Sequence, residues 1–239
     1  MEELTTGGTN TYPVYVVRGS KKLMTTILEA SNLSLKDVQR LLSLERQVNH
    51  SFTSLLSLSP LTEVEQQDLD EICTNFYDYY TERKISEGEV KFLTISPLMW
   101  LAGFYNSTIK ITLEEKIDDI YIEDEDTLIK GRMDILAVHK IQPTTTLTPF
   151  WILVIETKNA TVNAFEGLPQ LLTYAYKGLE NQASVWGLTT NGMSYQFVYL
   201  EKGNPSSYQL FPDLNVIYPE RSIELLQVLK AICAGISSV

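Results

Sequence analysis

The feature that most limits the fold of this chain is an unbroken apolar run, FWILVI, which ends in the charged sequence ETK at residues 156–158. An apolar run of this length predicts a strand that lies in the protein interior. Because side chains alternate along a strand, Glu156 and Lys158 share one face with Val154. The strand is therefore expected to end with a carboxylate and an ammonium group side by side.

A second predicted strand, GRMDILAVHK, precedes this one and carries Asp134. If the two strands form an antiparallel hairpin joined by IQPTTTLTP, Asp134 comes to lie beside Glu156. Two carboxylates that close repel each other unless a cation lies between them, and hard oxygen ligands suit Mg²⁺ or Mn²⁺. Such an ion polarises a phosphoryl oxygen and activates a water molecule, which Lys158 would orient. The alternative is a solvated pair, because Glu and Lys two residues apart are frequent by chance.

The rest of the chain predicts alternating groups of helices and strands. From about residue 108, three consecutive strands rich in β-branched residues are followed by a helix, LPQLLTYAYKGL, with Pro169 in its first turn. Two more strands flank a turn at Asn191 and Gly192, and an amphipathic helix closes the chain. The first 105 residues are predicted to be mostly helical, apart from a short strand in YPVYVV.

Signals for helix starts occur at three places in this N-terminal part. They are an N-cap at Ser34 of a helix through Val48, and capping boxes formed by Thr62 with Glu65 and by Ser86 with Glu89. Pro97 is expected to kink the third of these helices.

Length and composition limit the class of protein. A chain of 239 residues, of which 44% are hydrophobic and 21% charged, predicts one large domain, or one domain with an extension. No apolar run reaches the roughly 18 residues that span a bilayer, and the N-terminal sequence lacks the regions of a signal peptide. We therefore expect a cytoplasmic protein without a membrane partner. Cys73 and Cys233 fit no metal spacing and are expected to be reduced thiols.

The formal net charge of −11 counts against an obvious nucleic-acid binder, since the field of the whole chain repels a polyanion. The charge is unevenly distributed, because residues 114–126, EEKIDDIYIEDED, contain eight acids and one lysine. This segment lacks the ligand order and the glycine of an EF-hand calcium loop. A solvated hairpin tip is expected there instead.

Three short sequences in this chain, GRMD, IETK and QLLTY, carry a family resemblance. Together they resemble the PD-(D/E)XK nuclease superfamily, especially the N-terminal nuclease domain of type I restriction enzyme R subunits. The resemblance implies that Asp134 and Glu156 bind Mg²⁺ together with the Thr157 backbone carbonyl. It further implies that Lys158 is catalytic, and that hydrolysis breaks the P–O3′ bond and leaves a 5′-phosphate.

The resemblance extends to two neighbouring segments. Gln170 and Tyr174 match a Q-x-x-x-Y signature on the helix after the E-x-K strand. The sequence SEGEVKFLTISP resembles a family pattern of the form N-E-x-x-T-R, which makes Glu87 a further metal ligand and places Lys91 where the family has arginine. Met133 departs from the superfamily pattern, which has proline at that position.

Several of these residues have a structural alternative. Glu87 either holds the metal or stabilises a helix N-terminus through the macrodipole. Gln170 either orients the site or lies on the surface of its helix. Arg132, Lys91 and Lys130 are candidate nucleic-acid contacts, although Arg132 is equally consistent with an ordinary salt bridge.

The expected fold is α/β, with a restriction-endonuclease-like core in which helices flank a central mixed β-sheet. Residues 1–84 are expected to form a helical N-terminal extension and residues 85–239 the nuclease-like domain. The expected activity is Mg²⁺-dependent or Mn²⁺-dependent endonucleolytic hydrolysis of DNA, with Asp134, Glu156, Lys158 and Gln170 as catalytic residues. The alternatives are an RNA substrate, or a non-catalytic module that binds nucleic acid or protein in a larger restriction or defence assembly. Candidate partners are a second copy of the chain and translocase or specificity subunits.

Overall fold

The computed structural model describes residues 13–18, 21–48, 51–117, 119–140 and 150–235. Within these ranges the strands are β1 (Pro13–Arg18), β2 (Lys21–Glu29), β3 (Leu44–Val48), β4 (Ile109–Lys116), β5 (Ile120–Ile122), β6 (Thr127–Lys130), β7 (Arg132–His139), β8 (Phe150–Thr157), β9 (Ser184–Thr190), β10 (Ser194–Glu201), β11 (Ser206–Leu210) and β12 (Leu214–Asn215).

The α-helices in the same ranges are α1 (Leu35–Leu41), α2 (Glu63–Glu82), α3 (Glu87–Val90), α4 (Ser96–Leu101), α5 (Leu168–Gly178) and α6 (Pro219–Ala234). A π-helical segment, Lys91–Ile95, joins α3 to α4. None of the described helices combines the length and the apolar character that crossing a membrane requires.

The strands form two sheets. The large sheet has the order β3-β11-β10-β9-β8-β7-β4, with β12 beside β10, and the small sheet has the order β1-β2-β6-β5. In the large sheet β8 pairs with β9 in parallel, whereas β7 pairs with β8 in antiparallel orientation. The large sheet is therefore mixed, and helices flank it, as predicted. This arrangement is consistent with a restriction-endonuclease-like core.

Helices cover both faces of the large sheet, which explains the apolar run in β8. Ile155 belongs to a hydrophobic cluster that includes residues of α2, α4 and α6. Val154, one position earlier, belongs to a second cluster with residues of α1 and α5. Both side chains are fully buried. Burial of an aliphatic side chain contributes roughly 1.5–3 kcal/mol, so a strand of this composition is most stable at the centre of such a sheet.

The short strand predicted in YPVYVV is confirmed as β1. The predicted helical character of residues 1–84 is wrong for the segments that form β2 and β3. Strand β2 pairs in parallel with β6, and β3 pairs in parallel with β11. β-Branched residues such as Thr26 and Ile27 favour the extended conformation of β2. The helix that begins at Ser34 ends at Leu41, because Ser43 adopts a left-handed conformation with a φ of 48°. Val48 consequently lies in a strand.

The second half of this segment does contain the predicted long helix, α2. Its Leu69 and Phe76 belong to the same hydrophobic cluster as Ile135 and Ile155 of the central strands. The helix therefore contributes to the core of the large sheet. The division of the chain at residue 84 stays a prediction.

The three predicted helix starts are confirmed. Side-chain and backbone hydrogen bonds complete capping boxes at all three, which are Ser34 with Asp37, Thr62 with Glu65, and Ser86 with Glu89. Pro97 lies in the first turn of α4, directly after the π-helical segment. Proline has no N–H to donate, so the irregular segment before it accommodates the missing hydrogen bond.

The acidic segment 114–126 covers the exposed end of β4, the short strand β5 and a 3₁₀ turn, Glu123–Glu125, that leads into β6. The hairpin of β5 and β6 confirms the predicted turn. Arg40 of α1 forms an ion pair with Glu125, which ties the turn to the first helix.

Candidate active site

Asp134 and Glu156 lie side by side on adjacent strands. The predicted hairpin is confirmed, with Ile135 of β7 opposite Ile155 of β8 in antiparallel register. Asp134, which precedes Ile135, and Glu156, which follows Ile155, therefore meet at the same end of the hairpin. The connection IQPTTTLTP lies outside the described residues. Asp134 Oδ2 accepts hydrogen bonds from the backbone N–H and the hydroxyl of Thr157, both at 2.7 Å. Asp134 is thus fixed to the end of the strand that carries Glu156.

Glu156 is a buried carboxylate, with 2% of its surface exposed. Its Oε1 accepts a hydrogen bond from Lys158 Nζ at 2.7 Å, whereas its Oε2 is buried without a hydrogen-bond partner. The pKa of Glu156 is raised to about 8, mainly because the group is buried. The negative charges of Asp134 and Glu87 also raise this pKa, whereas Lys158 lowers it. The desolvation of this carboxylate therefore outweighs the ion pair with Lys158.

Lys158 is held from two sides. Besides Glu156, its Nζ donates to Gln170 Oε1 at 3.2 Å. Gln170 in turn donates from Nε2 to the Tyr174 hydroxyl at 2.8 Å, which also accepts the backbone N–H of Arg132 at 3.3 Å. The residues of the predicted Q-x-x-x-Y signature thus form a hydrogen-bonded chain that ends on the ammonium group.

Tyr174 is a neutral hydroxyl in this chain of contacts. Burial raises its pKa to about 12, and the nearby charge of Glu156 acts in the same direction. Tyr174 belongs to the hydrophobic cluster that α5 forms with the large sheet. The ring of Tyr174 therefore packs in the core, while its hydroxyl forms hydrogen bonds at the site.

Two glycines permit these close contacts; Gly131 is the first residue of the GRMD motif, whereas no sequence motif included Gly167. A Cβ on Gly167, directly before α5, would lie 2.3 Å from Thr189 Oγ1 and 3.1 Å from Glu156 Cγ. A Cβ on Gly131, directly before β7, would lie 2.5 Å from Tyr174 Cε1. For Gly167 the signal in the sequence was its position one residue before a helix. The role of both glycines depends on tertiary contacts that a single sequence does not show.

Lys91, predicted as a nucleic-acid contact, lies against the carboxylates. Its Nζ donates to Asp134 Oδ1 at 2.7 Å and to Glu114 Oε1 at 2.8 Å. Although burial alone lowers the pKa of Lys91, the hydrogen bonds with Asp134 and Glu114 raise it above its ordinary value. The ammonium group is therefore charged and occupies one oxygen of Asp134.

Glu87 is the first residue of α3, and its side chain is exposed. The reciprocal contacts of the capping box belong to Glu89, as the sequence indicated. In the part of the chain that the structure describes, there is no group of three or more His, Cys, Asp and Glu side chains arranged to hold a metal ion. Glu87 is thus close enough to affect the pKa of Glu156 but lies outside the pair formed by Glu156 and Asp134.

Arg132 and Lys130, the other predicted nucleic-acid contacts, line a cleft of about 490 Å³ beside the site. We call it the Tyr174 cleft, because Tyr174 and Gln170 form its wall toward Lys158. Arg132 lies 3.9 Å from a Glu114 oxygen and Lys130 lies 3.9 Å from an Asp119 oxygen, and these side chains are exposed. Exposed ion pairs at this separation are weak, so both cations can bind another anion.

The Asp134 and Glu156 pair fits a hard divalent cation. A buried carboxylate oxygen without a hydrogen bond, as in Glu156, is costly unless it gains a proton or a cation. Carboxylate and carbonyl oxygens are the ligands that Mg²⁺ and Mn²⁺ prefer. The predicted set of Asp134, Glu156 and the Thr157 carbonyl therefore has suitable chemistry for such an ion.

No protein-family model matches this chain, and no curated protein is significantly similar to it. A similar solved structure is a fragment described as an HsdR subunit of a type I restriction enzyme from Vibrio vulnificus YJ016, with a TM-score of 0.36 and 17% sequence identity. The similarity covers 66% of this chain and 27% of that chain, so it spans about a quarter of the other protein's length. A similarity of this size leaves the function to be judged from the site itself.

Proposed function

We propose that the protein is a Mg²⁺-dependent nuclease that hydrolyses phosphodiester bonds in DNA, in the manner of restriction enzymes. The observation that carries this proposal is the buried Glu156, which has one oxygen without a partner and lies between Asp134 and the ammonium group of Lys158. Paired carboxylates beside a positioned lysine are the groups that metal-assisted hydrolysis of a phosphodiester requires.

Asp134, Glu156 and the Thr157 backbone carbonyl would hold the metal ion, with Mn²⁺ as a substitute for Mg²⁺. When bound, the ion supplies Lewis-acid polarisation of the phosphoryl oxygen. The two carboxylates are already brought together, because the Thr157 backbone and hydroxyl fix Asp134 at 2.7 Å. A preformed pair of this kind reduces the reorganisation that ion binding costs.

Lys158 would orient the attacking water and stabilise the charge that develops on the phosphate. Its ammonium group is partly exposed, with 18% of the side chain accessible, so it can reach a substrate phosphate at the end of the sheet. Gln170 and Tyr174 act as positioning residues, since they fix Lys158 from the side of α5. Attack on phosphorus then breaks the P–O3′ bond and leaves a 5′-phosphate and a 3′-hydroxyl.

The Tyr174 cleft would contact the DNA backbone through its lysine and arginine side chains, although Glu29 and Asp119 also line it. It places Arg132 and Lys130 beside Gln170, next to the proposed reaction centre. Local cations of this kind can bind phosphate even though the formal net charge of the chain is −11. Binding is then expected to weaken steeply as salt increases.

The test is a cleavage assay on plasmid, linear duplex and single-stranded DNA with Mg²⁺ or Mn²⁺. Asp134→Ala and Lys158→Ala should each reduce cleavage a hundredfold or more, and both variants should retain the circular dichroism spectrum of the wild type. Arg221→Gln serves as the control, because Arg221 lies on α6, whose core residues belong to the hydrophobic cluster on the other face of the sheet. Cleavage that persists in both site variants would point to a contaminating nuclease and refute the proposal.

The second candidate is a non-catalytic module that binds nucleic acid or protein within a larger restriction or defence assembly. It is favoured by one observation, the ion pair that places Lys91 on Asp134 Oδ1. A cation fixed there competes with a metal ion. If the wild type neither cuts DNA nor binds Mn²⁺, this second function replaces the first. If it binds Mn²⁺ without cutting, the missing component is a partner, such as a second copy or a translocase or specificity subunit.

A further inference from the structure

A second cavity lies between α5 and the sheet, outside the carboxylate site. Its volume is about 260 Å³, and Trp151, Leu136 and Val138 contribute apolar surface to it. We call it the Trp151 cavity. Ile117 and Met133 add to this apolar surface. The charged part of the lining consists of three lysines, Lys110, Lys116 and Lys177, and two glutamates, Glu115 and Glu180.

Trp151 is contacted at its backbone and at its indole ring in this cavity. The side chain of Gln182 binds both the backbone N–H and the backbone carbonyl of Trp151, at 2.7 and 2.8 Å. Gly178 lies directly against the indole, since a Cβ at that position would be 3.0 Å from Trp151 Cε3. An aromatic side chain beside several ammonium groups fits a ligand with a planar apolar part and an anionic part. A nucleotide has both parts.

The Trp151 cavity lies next to the Tyr174 cleft, because Lys116 and Ile117 line both. The Tyr174 cleft reaches Gln170, whose amide oxygen is 3.2 Å from Lys158 Nζ. On α5, Gln170 and Lys177 are separated by about 10 Å along the helix axis. This distance corresponds to about three stacked nucleotides. A single strand with a phosphate at Lys158 can therefore extend along α5 to the Trp151 cavity.

We propose that the Trp151 cavity binds an unpaired nucleotide of the strand whose phosphate lies at Lys158, so that the preferred substrate is single-stranded or locally unpaired DNA. This inference rests on the proposed nuclease function. In a duplex each base is stacked on both faces and paired along its edge, so it cannot enter a cavity beneath a helix unless it leaves the stack. An unpaired base has no such cost and can stack on Trp151.

Binding can be measured separately from cleavage by working in EDTA. A labelled oligonucleotide and the duplex of the same sequence are compared by fluorescence anisotropy, while intrinsic tryptophan fluorescence reports stacking. We expect the single strand to bind at least threefold more tightly than the duplex and to quench part of the emission. Trp151→Phe should abolish that quenching although Trp100 and Trp186 remain.

Lys177→Gln is expected to weaken binding of the single strand at least threefold, with Arg221→Gln as the matched control. Both residues form an ion pair with a glutamate three positions later on a helix, Lys177 with Glu180 and Arg221 with Glu224. The two helices have core residues in different hydrophobic clusters, on opposite faces of the sheet. Equal losses in the two variants would show a nonspecific charge effect and overturn the inference.

Free deoxynucleoside monophosphate provides the last arm of the test. If it quenches Trp151 as strongly as the oligonucleotide does at equal nucleotide concentration, the cavity binds free nucleotide and the assignment to the substrate strand fails. The assignment also fails if duplex and single strand bind with equal affinity and the single strand does not quench the tryptophan emission. Asp134-dependent cleavage together with either result leaves the proposed nuclease function intact. That function is refuted if the wild type neither cuts DNA nor binds Mn²⁺.

Discussion

Lys91 and Asp134 form an ion pair in which 2.7 Å separates Nζ from Oδ1. The same ammonium group also contacts Glu114, a residue of the edge strand β4 with a left-handed φ of 55°. Lys91 thus neutralises one of the two adjacent carboxylates at the end of the central hairpin. Any divalent cation that binds Asp134 must compete with this lysine.

Removal of this competitor should strengthen metal binding. Lys91→Met is expected to raise the affinity for Mn²⁺ roughly tenfold, which corresponds to about 1.4 kcal/mol. Titration calorimetry measures the effect, and Lys36→Met, an exposed lysine on α1, is the control. A lower affinity in Lys91→Met would instead show that Lys91 holds Asp134 in its binding position.

Gln170 is expected to affect the rate of cleavage without affecting the metal. Gln170→Leu removes the amide oxygen that lies 3.2 Å from Lys158 Nζ, so the ammonium group loses one of its two described hydrogen bonds. We expect kcat to fall about tenfold, against a hundredfold or more for Lys158→Ala. The Mn²⁺ affinity and the melting temperature should remain close to those of the wild type. Gln170→Glu keeps an acceptor for Lys158 and should retain more activity than Gln170→Leu.

If Gln170→Leu lowers the melting temperature and the Mn²⁺ affinity together with kcat, Gln170 has only a structural role. Tyr174→Phe gives an independent check, because it removes the hydroxyl that accepts from Gln170 Nε2 at 2.8 Å while it keeps the packed ring. Its effect on kcat should be smaller than that of Gln170→Leu and in the same direction.

Much of the central sheet could be predicted from the sequence, since its signals are local. The apolar run of β8 and the β-branched residues of β7 each indicate a strand, and period-two alternation places Asp134 and Glu156 on one face. The capping boxes at Thr62 and Ser86 likewise depend on residues three positions apart. Such patterns remain visible because neighbouring residues in the sequence make the decisive contacts.

Strands β2 and β3 and the contact of Lys91 could not be predicted in this way. Strand β3 pairs with β11, which lies about 160 residues later in the chain. The apolar spacing that ends at Val48 is helical and gave no sign of that pairing. The position of Lys91, which lies in the π-helical segment, depends on Glu114 of β4 and Asp134 of β7. Gly167 is similar, because its neighbours Glu156 and Thr189 meet only when β8 and β9 pair.

Gly167 should be intolerant of a side chain. Gly167→Ala places a Cβ 2.3 Å from Thr189 Oγ1 and 3.1 Å from Glu156 Cγ, so the helix start or the strand must shift. We expect a loss of about 1–3 kcal/mol in the free energy of unfolding, measured by urea denaturation. The matched control is Gly88→Ala in α3, where no atom lies within 4 Å of the added Cβ.

Gly88→Ala should leave the stability unchanged or increase it by up to about 1 kcal/mol, since alanine favours a helix over glycine. The double variant with Gly167→Ala and Thr189→Ala removes the closest clashing atom and should recover part of the loss. Equal stability of Gly167→Ala and wild type would show that the start of α5 can move away from the site at no cost.

The last prediction concerns the pH dependence of stability without metal. Burial raises the pKa of Glu156 to about 8 from an ordinary value of 4.5. The folded protein therefore retains a proton on Glu156 that the unfolded chain has already released above its own pKa. Each pKa unit corresponds to about 1.4 kcal/mol, so the contribution of Glu156 is fully present below about pH 4.5 and falls until about pH 8.

Urea denaturation in EDTA between pH 5 and pH 9 measures this contribution as the difference between wild type and Glu156→Gln. The amide cannot ionise, so the variant should become more stable relative to wild type as the pH rises, with no further change above about pH 8. The same proton must leave when a divalent cation binds, and the apparent Mn²⁺ affinity of the wild type should rise over the same interval. A pH-independent difference between the two proteins would mean that Glu156 is ionised throughout, stabilised by Lys158 alone.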